Sequence, residues 1–111
     1  MKRIVLKIGT SSISTNGILD DNKINNLVSF IVELKEKYNV IIVSSGAVSA
    51  GYSKIKLDRN NLINKQVLSA IGQPKLMSNY KKKFNKYNII IAQLLLTASI
   101  FDSRKQSDNA F

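Results

Sequence analysis

Two short segments carry residue types suited to holding an anion. The first is Lys7-Ile8-Gly9-Thr10-Ser11-Ser12. A glycine there lets backbone N–H groups come close to an anion, and the hydroxyls add donors. Lys7 adds a positive charge, which suits phosphoryl transfer because charge spreads over the moving oxygens. The same residues equally suit a plain strand-to-turn transition with Lys7 in water. The second segment is Ser44-Ser45-Gly46-Ala47-Val48-Ser49-Ala50-Gly51. Amides and hydroxyls at a helix start bind phosphate or carboxylate. A serine N-cap followed by a glycine turn has the same composition. Gly46 and Gly51 have the G-x-x-x-x-G spacing of a P-loop, but Tyr52-Ser53 follow instead of Lys and Ser or Thr. That excludes a Walker A loop, and no G-x-G-x-x-G occurs.

Composition excludes other chemistry. The 111 residues include no Cys and no His. Disulfides, thiolate reactions, Cys/His zinc sites and Ser-His-Asp or Cys-His catalysis within the chain are therefore excluded. The absence of Cys fits a reducing cytoplasm. No two carboxylates have a convincing acid/base spacing. Asp102 and Asp108, with Arg104, read as charges at a helix start. Gln73 reads as a polar helix residue or a ligand contact, and Gln93 fits either a core hydrogen bond or a ligand contact.

The net charge is +10, from 17 basic and 7 acidic residues. Such a balance invites a nucleic-acid partner. Only three of the 17 are Arg (Arg3, Arg59, Arg104), leaving 14 Lys. Arg is the usual bidentate reader of phosphate and guanine. Abundant Lys, Asn and Ile are also what AT-rich coding produces. The cluster Lys81-Lys82-Lys83 with Lys86 is read as a solvated helix face. The expectation is no nucleic-acid partner. The start lacks the apolar run of a signal peptide. The longest apolar stretch, Ile89 to Leu96, is short and broken by Gln93, so no membrane span is expected.

The elements that must position these segments follow from periodicity. Arg3 to Ile8 reads as a strand. Asn16-Gly17 between Ile13 and Ile18 predicts a tight hairpin turn. Asp20-Asp21 offers an N-cap for a helix running to about Tyr38, with Ile24, Leu27, Val28, Ile31, Leu34 and Tyr38 as its buried stripe. Asn39 reads as a left-handed stop. Val40 to Val43 is a continuous apolar strand, the kind buried on both faces of a parallel sheet. Strand, helix, strand is then a right-handed βαβ unit. A short helix follows from Ser44-Ser45-Gly46-Ala47. Asn60 or Asn61 caps another helix through Ile71, with a break or kink at Gly72 and Pro74. Helix resumes along Met77, Tyr80, Phe84 and Tyr87, read as core, and Asn88 ends it. Ile89 to Leu96 reads as a third buried strand. The fold class is three-layer α/β/α with a mostly parallel sheet, incomplete, and with no internal domain boundary from residue 1 to 111. In such sheets ligands bind beyond the carboxyl ends of the strands, which is where both segments lie.

The two segments resemble the amino-acid kinase superfamily, and within it the glutamate 5-kinase branch. Three further stretches resemble that branch in the same order: Asn64-Lys65-Gln66-Val67-Leu68-Ser69-Ala70-Ile71-Gly72-Gln73, then Ala92-Gln93-Leu94-Leu95-Leu96-Thr97, then Arg104 with Asn109-Ala110. Relatives acting on aspartate or acetylglutamate usually carry a second glycine where Thr10 stands. The resemblance implies ATP-dependent phosphorylation of the side-chain carboxylate of L-glutamate, the first step of proline synthesis, with Mg²⁺ assisting. It implies that Lys7 contacts phosphate on the ATP side and is catalytic, and that Gly9, Thr10 and Ser11 form its phosphate loop. It implies that Ser45 contacts glutamate, with Gly46 and Ala47 around it, and that no metal ligand lies in this stretch. It also implies a cytoplasmic enzyme that forms homo-oligomers at full length. Ser44 stands where Thr is common, and Ala92 where Gly is common. The family's catalytic domain is longer than this chain. Further glutamate contacts, the acidic residues near the metal, the nucleotide loops and a second lysine are expected beyond Phe111. The expectation is therefore an amino-terminal, substrate-side part that is inactive alone. The alternatives are a non-catalytic remnant that binds an anion or a partner, and a small basic nucleic-acid binder.

Overall fold

A computed structural model describes residues 1–93. The elements in order are β1 (Lys2–Ile8), a 3-10 turn (Thr10–Ser12), β2 (Ser14–Thr15), β3 (Ile18–Leu19), α1 (Asp21–Lys35), β4 (Tyr38–Ser44), α2 (Ala47–Lys54) and α3 (Leu62–Asn85). β1 and β4 pair in parallel, in a register running from Lys2 opposite Tyr38 to Ile8 opposite Ser44. The predicted βαβ unit and α/β class are thus present.

Local chemistry explains the first half. Asn16 (φ 53°) and Gly17 (φ 76°) both take left-handed conformations, which joins β2 to β3 as a tight antiparallel hairpin. Asp20 caps α1, its carboxylate accepting from the N–H groups of Asn22 and Lys23. Ile24, Val28 and Ile31 form the buried stripe of α1. The helix ends at Lys35 rather than near Tyr38, and Tyr38 and Asn39 belong to β4. Pairing with β1 draws them into the strand, so Asn39 is no left-handed stop.

The second half departs further from the periodic reading. α3 runs unbroken through Gly72 and Pro74. Its start is capped by Asn61, whose Oδ1 accepts from Ile63 and Asn64 N–H. Gly72 is there for packing, because a Cβ on it would fall inside the Ala47 carbonyl and against the Gly51 nitrogen. Gly51 in turn faces the Leu68 carbonyl. Two glycines thus let α2 and α3 cross almost backbone to backbone. Asn88 (φ 59°) lies three residues past the end of α3, in the left-handed region. Residues 89–93 form no strand, and Ile90 is 96% exposed, so the described part of the third-strand prediction fails. Residues 94–96 of that stretch, and Thr97, Asp102, Arg104, Asp108, Asn109 and Ala110, lie outside the described residues.

One core joins the elements: Ile8, Ile13, Ile24, Val28, Ile31, Ala50, Leu76, Tyr80 and Phe84. Leu6, Val40 and Ile42 pack against it from the sheet. Residues alternate faces along a strand. Val5 (57% exposed) and Val43 (52%) therefore look the other way, so β4 is not buried on both faces. The described residues supply a sheet layer and one helical layer. Lys83 corrects the reading of the basic cluster. It is buried, donating to Asn25 Oδ1 at 2.7 Å and pairing with Asp21 at 2.7 Å, while Lys81, Lys82 and Lys86 are exposed. Burying a charge requires such partners.

Candidate functional site

The pairing of β1 with β4 sets the two glycine-bearing segments side by side. Ile8 faces Ser44 across the ladder, and the Ser45 N–H donates to the Ile8 carbonyl at 2.8 Å. The first segment leaves the sheet one residue later. The second enters α2 two residues later.

At the β1 end, Lys7 pairs with Val43 and shares the open face with Val5. It is exposed, and among the described residues its ammonium has no partner. Gly9 is extended (φ −77°, ψ 159°), and a Cβ on it would meet nothing within 4 Å. Space for an approaching ligand, rather than strain, distinguishes this glycine. The chain then tightens into the 3-10 turn, with Ser12 N–H donating to Gly9 O and Ile13 N–H to Thr10 O. Ser14 Oγ donates to Thr10 O at 2.6 Å. Among the described residues the Thr10, Ser11 and Ser12 hydroxyls, all exposed, have no partner. Periodicity gave no sign of what holds this turn. Lys23 reaches back from α1 and donates to Ser11 O at 3.1 Å and Ser14 O at 2.8 Å. A shallow depression of about 420 Å³ lies beside it, lined by Ser11, Ser12, Lys23, Asn26, Leu27 and Phe30.

At the β4 end, Gly46 is the N-cap of α2 with φ 121°, a conformation that L side chains rarely adopt. A Cβ there would stand 2.6 Å from Ile13 Cδ1. Ser45 is exposed, and its hydroxyl is unpartnered among the described residues. The first N–H groups of α2 lack intrahelical acceptors, as at any helix start. Ser44 Oγ donates to Ser45 O at 2.8 Å and lies 2.8 Å from the Tyr80 hydroxyl. Tyr80 comes from α3 and reads in the sequence only as core.

The electrostatics are simple. Among the described residues the Lys7 ammonium is unpaired, within the first segment and beside the second. Asp20 is occupied elsewhere: the Thr15 hydroxyl first, then the Lys23 N–H, hold its carboxyl below the usual range. Lys83 does the same for Asp21. Burial pushes the Tyr80 phenol up, with the Ser44 hydrogen bond acting against it. Among the described residues no three carboxylate, His or Cys side chains come together as cation ligands. No helix among them is long and apolar enough to cross a membrane. Gln73 is half-buried within α3 and Gln93 is exposed.

Comparison with known proteins extends this picture. Residues 2–110 match the amino acid kinase family. The chain is 50% identical over 105 residues to a glutamate 5-kinase of Helicobacter hepaticus, covering 95% of this chain and 40% of that protein. It is 46% identical to one of Leishmania donovani, covering 99% and 42%. A third, from Halalkalibacterium halodurans, is 42% identical, covering 99% and 30%. The chain thus spans between 30% and 42% of the length of these curated relatives.

Proposed function

The chain belongs to the amino acid kinase family, and from that premise we propose that it forms the substrate-side part of a glutamate 5-kinase. The reaction is transfer of the γ-phosphoryl group of ATP to the side-chain carboxylate of L-glutamate. Products are γ-glutamyl phosphate and ADP. The observation that carries this reading is the Ser45–Ile8 hydrogen bond, which holds two anion-suited strand ends beside one exposed lysine.

In this reading Lys7 neutralises charge on the transferring phosphoryl group. Gly9, Thr10 and Ser11 supply open backbone and hydroxyl donors on the ATP side. Ser45, with the amides of Gly46 and Ala47, holds the glutamate. Positioning and charge neutralisation then do the catalysis, without a covalent enzyme intermediate. The family implies Mg²⁺ with the nucleotide, but the donors at these strand ends are a lysine, hydroxyls and amides, which do not suit that cation. We assign it no ligand among the described residues. The reading also takes the enzyme to be cytoplasmic, to serve proline synthesis and to self-associate. Leu62, Ile63 and Val67, exposed at the start of α3, are apolar surface compatible with self-association.

The test is ADP release dependent on L-glutamate and Mg-ATP. It is run on the 111-residue chain and on the longest natural polypeptide that carries it. The longer form is expected to turn over and the short chain is not. There, Lys7→Ala lowers kcat by at least about a hundredfold, in the range of a lost charge-stabilising group. Ser45→Ala mainly raises the glutamate KM. Turnover with another carboxylate but not glutamate, or unchanged kinetics in both variants, would refute the assignment.

A further inference from the structure

We propose that Tyr80 is a positioning residue for the glutamate-side loop. Acting through Ser44, its hydroxyl fixes the Ser45–Gly46 peptide so that the Gly46 N–H points away from the core. The inference rests on the functional reading above.

Proton counting sets the direction of the relay. Ser44 has one hydroxyl proton, and it goes to the Ser45 carbonyl at 2.8 Å. At the 2.8 Å contact between the two hydroxyls, both bonds are made when Ser44 Oγ accepts and Tyr80 donates. The chain of bonds runs Tyr80 O–H to Ser44 Oγ–H to Ser45 C=O. Tyr80 is only 4% exposed, packed beside Phe84 with ring centroids 6.4 Å apart. A phenol so placed needs a partner, and burial raises its pKa, so it stays a donor at neutral pH.

The relay matters because of what lies beyond it. Ser45 is tied on both sides, its N–H to Ile8 O and its C=O to Ser44. Among the described residues there are no cis peptide bonds. In a trans peptide the N–H points opposite to the C=O. Drawing the Ser45 carbonyl toward Ser44 and Tyr80 turns the Gly46 N–H the other way, away from the helical layer. Gly46 itself offers no resistance to a flip, because glycine is free in φ. The hydroxyl pair is thus what selects one orientation of a peptide whose N–H is a donor for the substrate.

Two measurements test this, one without substrate. In the ¹⁵N-labelled chain, Tyr80→Phe and Ser44→Ala are each expected to shift the Gly46 amide resonance and slow its hydrogen exchange, because a flipped peptide turns that N–H from the open side toward the core. Ser44→Thr keeps the hydroxyl and should restore both. In the longest natural polypeptide, the same two variants should raise the glutamate KM about fivefold with the ATP KM unchanged. The double variant should be no worse than Ser44→Ala alone. A Gly46 amide unmoved in folded Ser44→Ala overturns the relay, as do independent, multiplying effects in the double variant. A moved amide with an unchanged glutamate KM overturns the positioning role. If the unsubstituted enzyme does not phosphorylate glutamate, the functional reading fails, and the amide measurement alone then decides the relay.

Discussion

The two strand ends are neighbours made by different means. The β4 end is built by packing. Gly46 takes a left-handed conformation against Ile13, Gly51 and Gly72 bring α2 onto α3, and Tyr80 backs Ser44 from the core. The β1 end is held by polar contacts at the surface. Gly9 is unstrained and has empty space around it, and the 3-10 turn is tied down by a lysine from α1. The difference teaches that similar glycine-and-hydroxyl sequences can need their glycines for opposite reasons. At one end a side chain does not fit the fold. At the other it fits, and would only crowd a ligand.

Substitutions can break or sharpen that contrast. The largest effect is expected from Gly72→Ala, which drives a methyl into backbone that has nowhere to move. We expect a loss of about 3 kcal/mol, the upper range for overpacking, read by urea denaturation of the chain. Gly46→Ala should cost about 2 kcal/mol, from backbone strain and the Ile13 contact. If either glycine variant proves neutral, the β4 end is not packing-determined. Lys23→Met should cost about 1 kcal/mol or less, since its bonds lie near the surface. Its clearer signature is faster exchange of the Ser12 and Ile13 amides with Gly46 unaffected. An acid titration probes the same neighbourhood. The Asp20 and Asp21 carboxyls are lowered in the folded state, so their contribution is present above the ordinary Asp value of about 3.9. It is lost as pH falls through their lower folded values. Asp20→Asn should flatten that acid limb, because Asn also caps a helix but does not titrate there. The smallest effect is Gly9→Ala. Stability should stay within about 0.5 kcal/mol, while under the proposed function ATP-side binding weakens. A large stability loss there would erase the contrast.

Much of this was legible in the sequence where the cause is local. Asn16-Gly17 specifies its turn through its own conformational preferences, and Asp20 caps a helix through atoms two and three residues away. The alternation of strand and amphipathic helix gave the parallel pair and placed both candidate segments at its carboxyl end. The misreadings share a different cause. Gly72 and Pro74 look like breakers until α2 is laid against α3. Lys83 looks solvated until Asp21 and Asn25 reach it across 62 and 58 positions of chain. Tyr80 reads as core and is core, but its hydroxyl answers to Ser44, 36 residues earlier. Such contacts leave no periodic trace, because they depend on how finished elements meet.

The register of the parallel pair also fixes a schedule. Every residue of β1 finds its partner in β4 36 positions further along, from Lys2 with Tyr38 to Ile8 with Ser44. At a synthesis rate of roughly 5–20 residues per second, β1 leaves the ribosome about 2–7 s before β4. The hairpin and α1 close on local contacts and need not wait. Ile4, Val5 and Leu6 must, with their strand backbone unpaired throughout. For a nascent chain, the segment that later presents Lys7 is thus made well before the strand that shelters it.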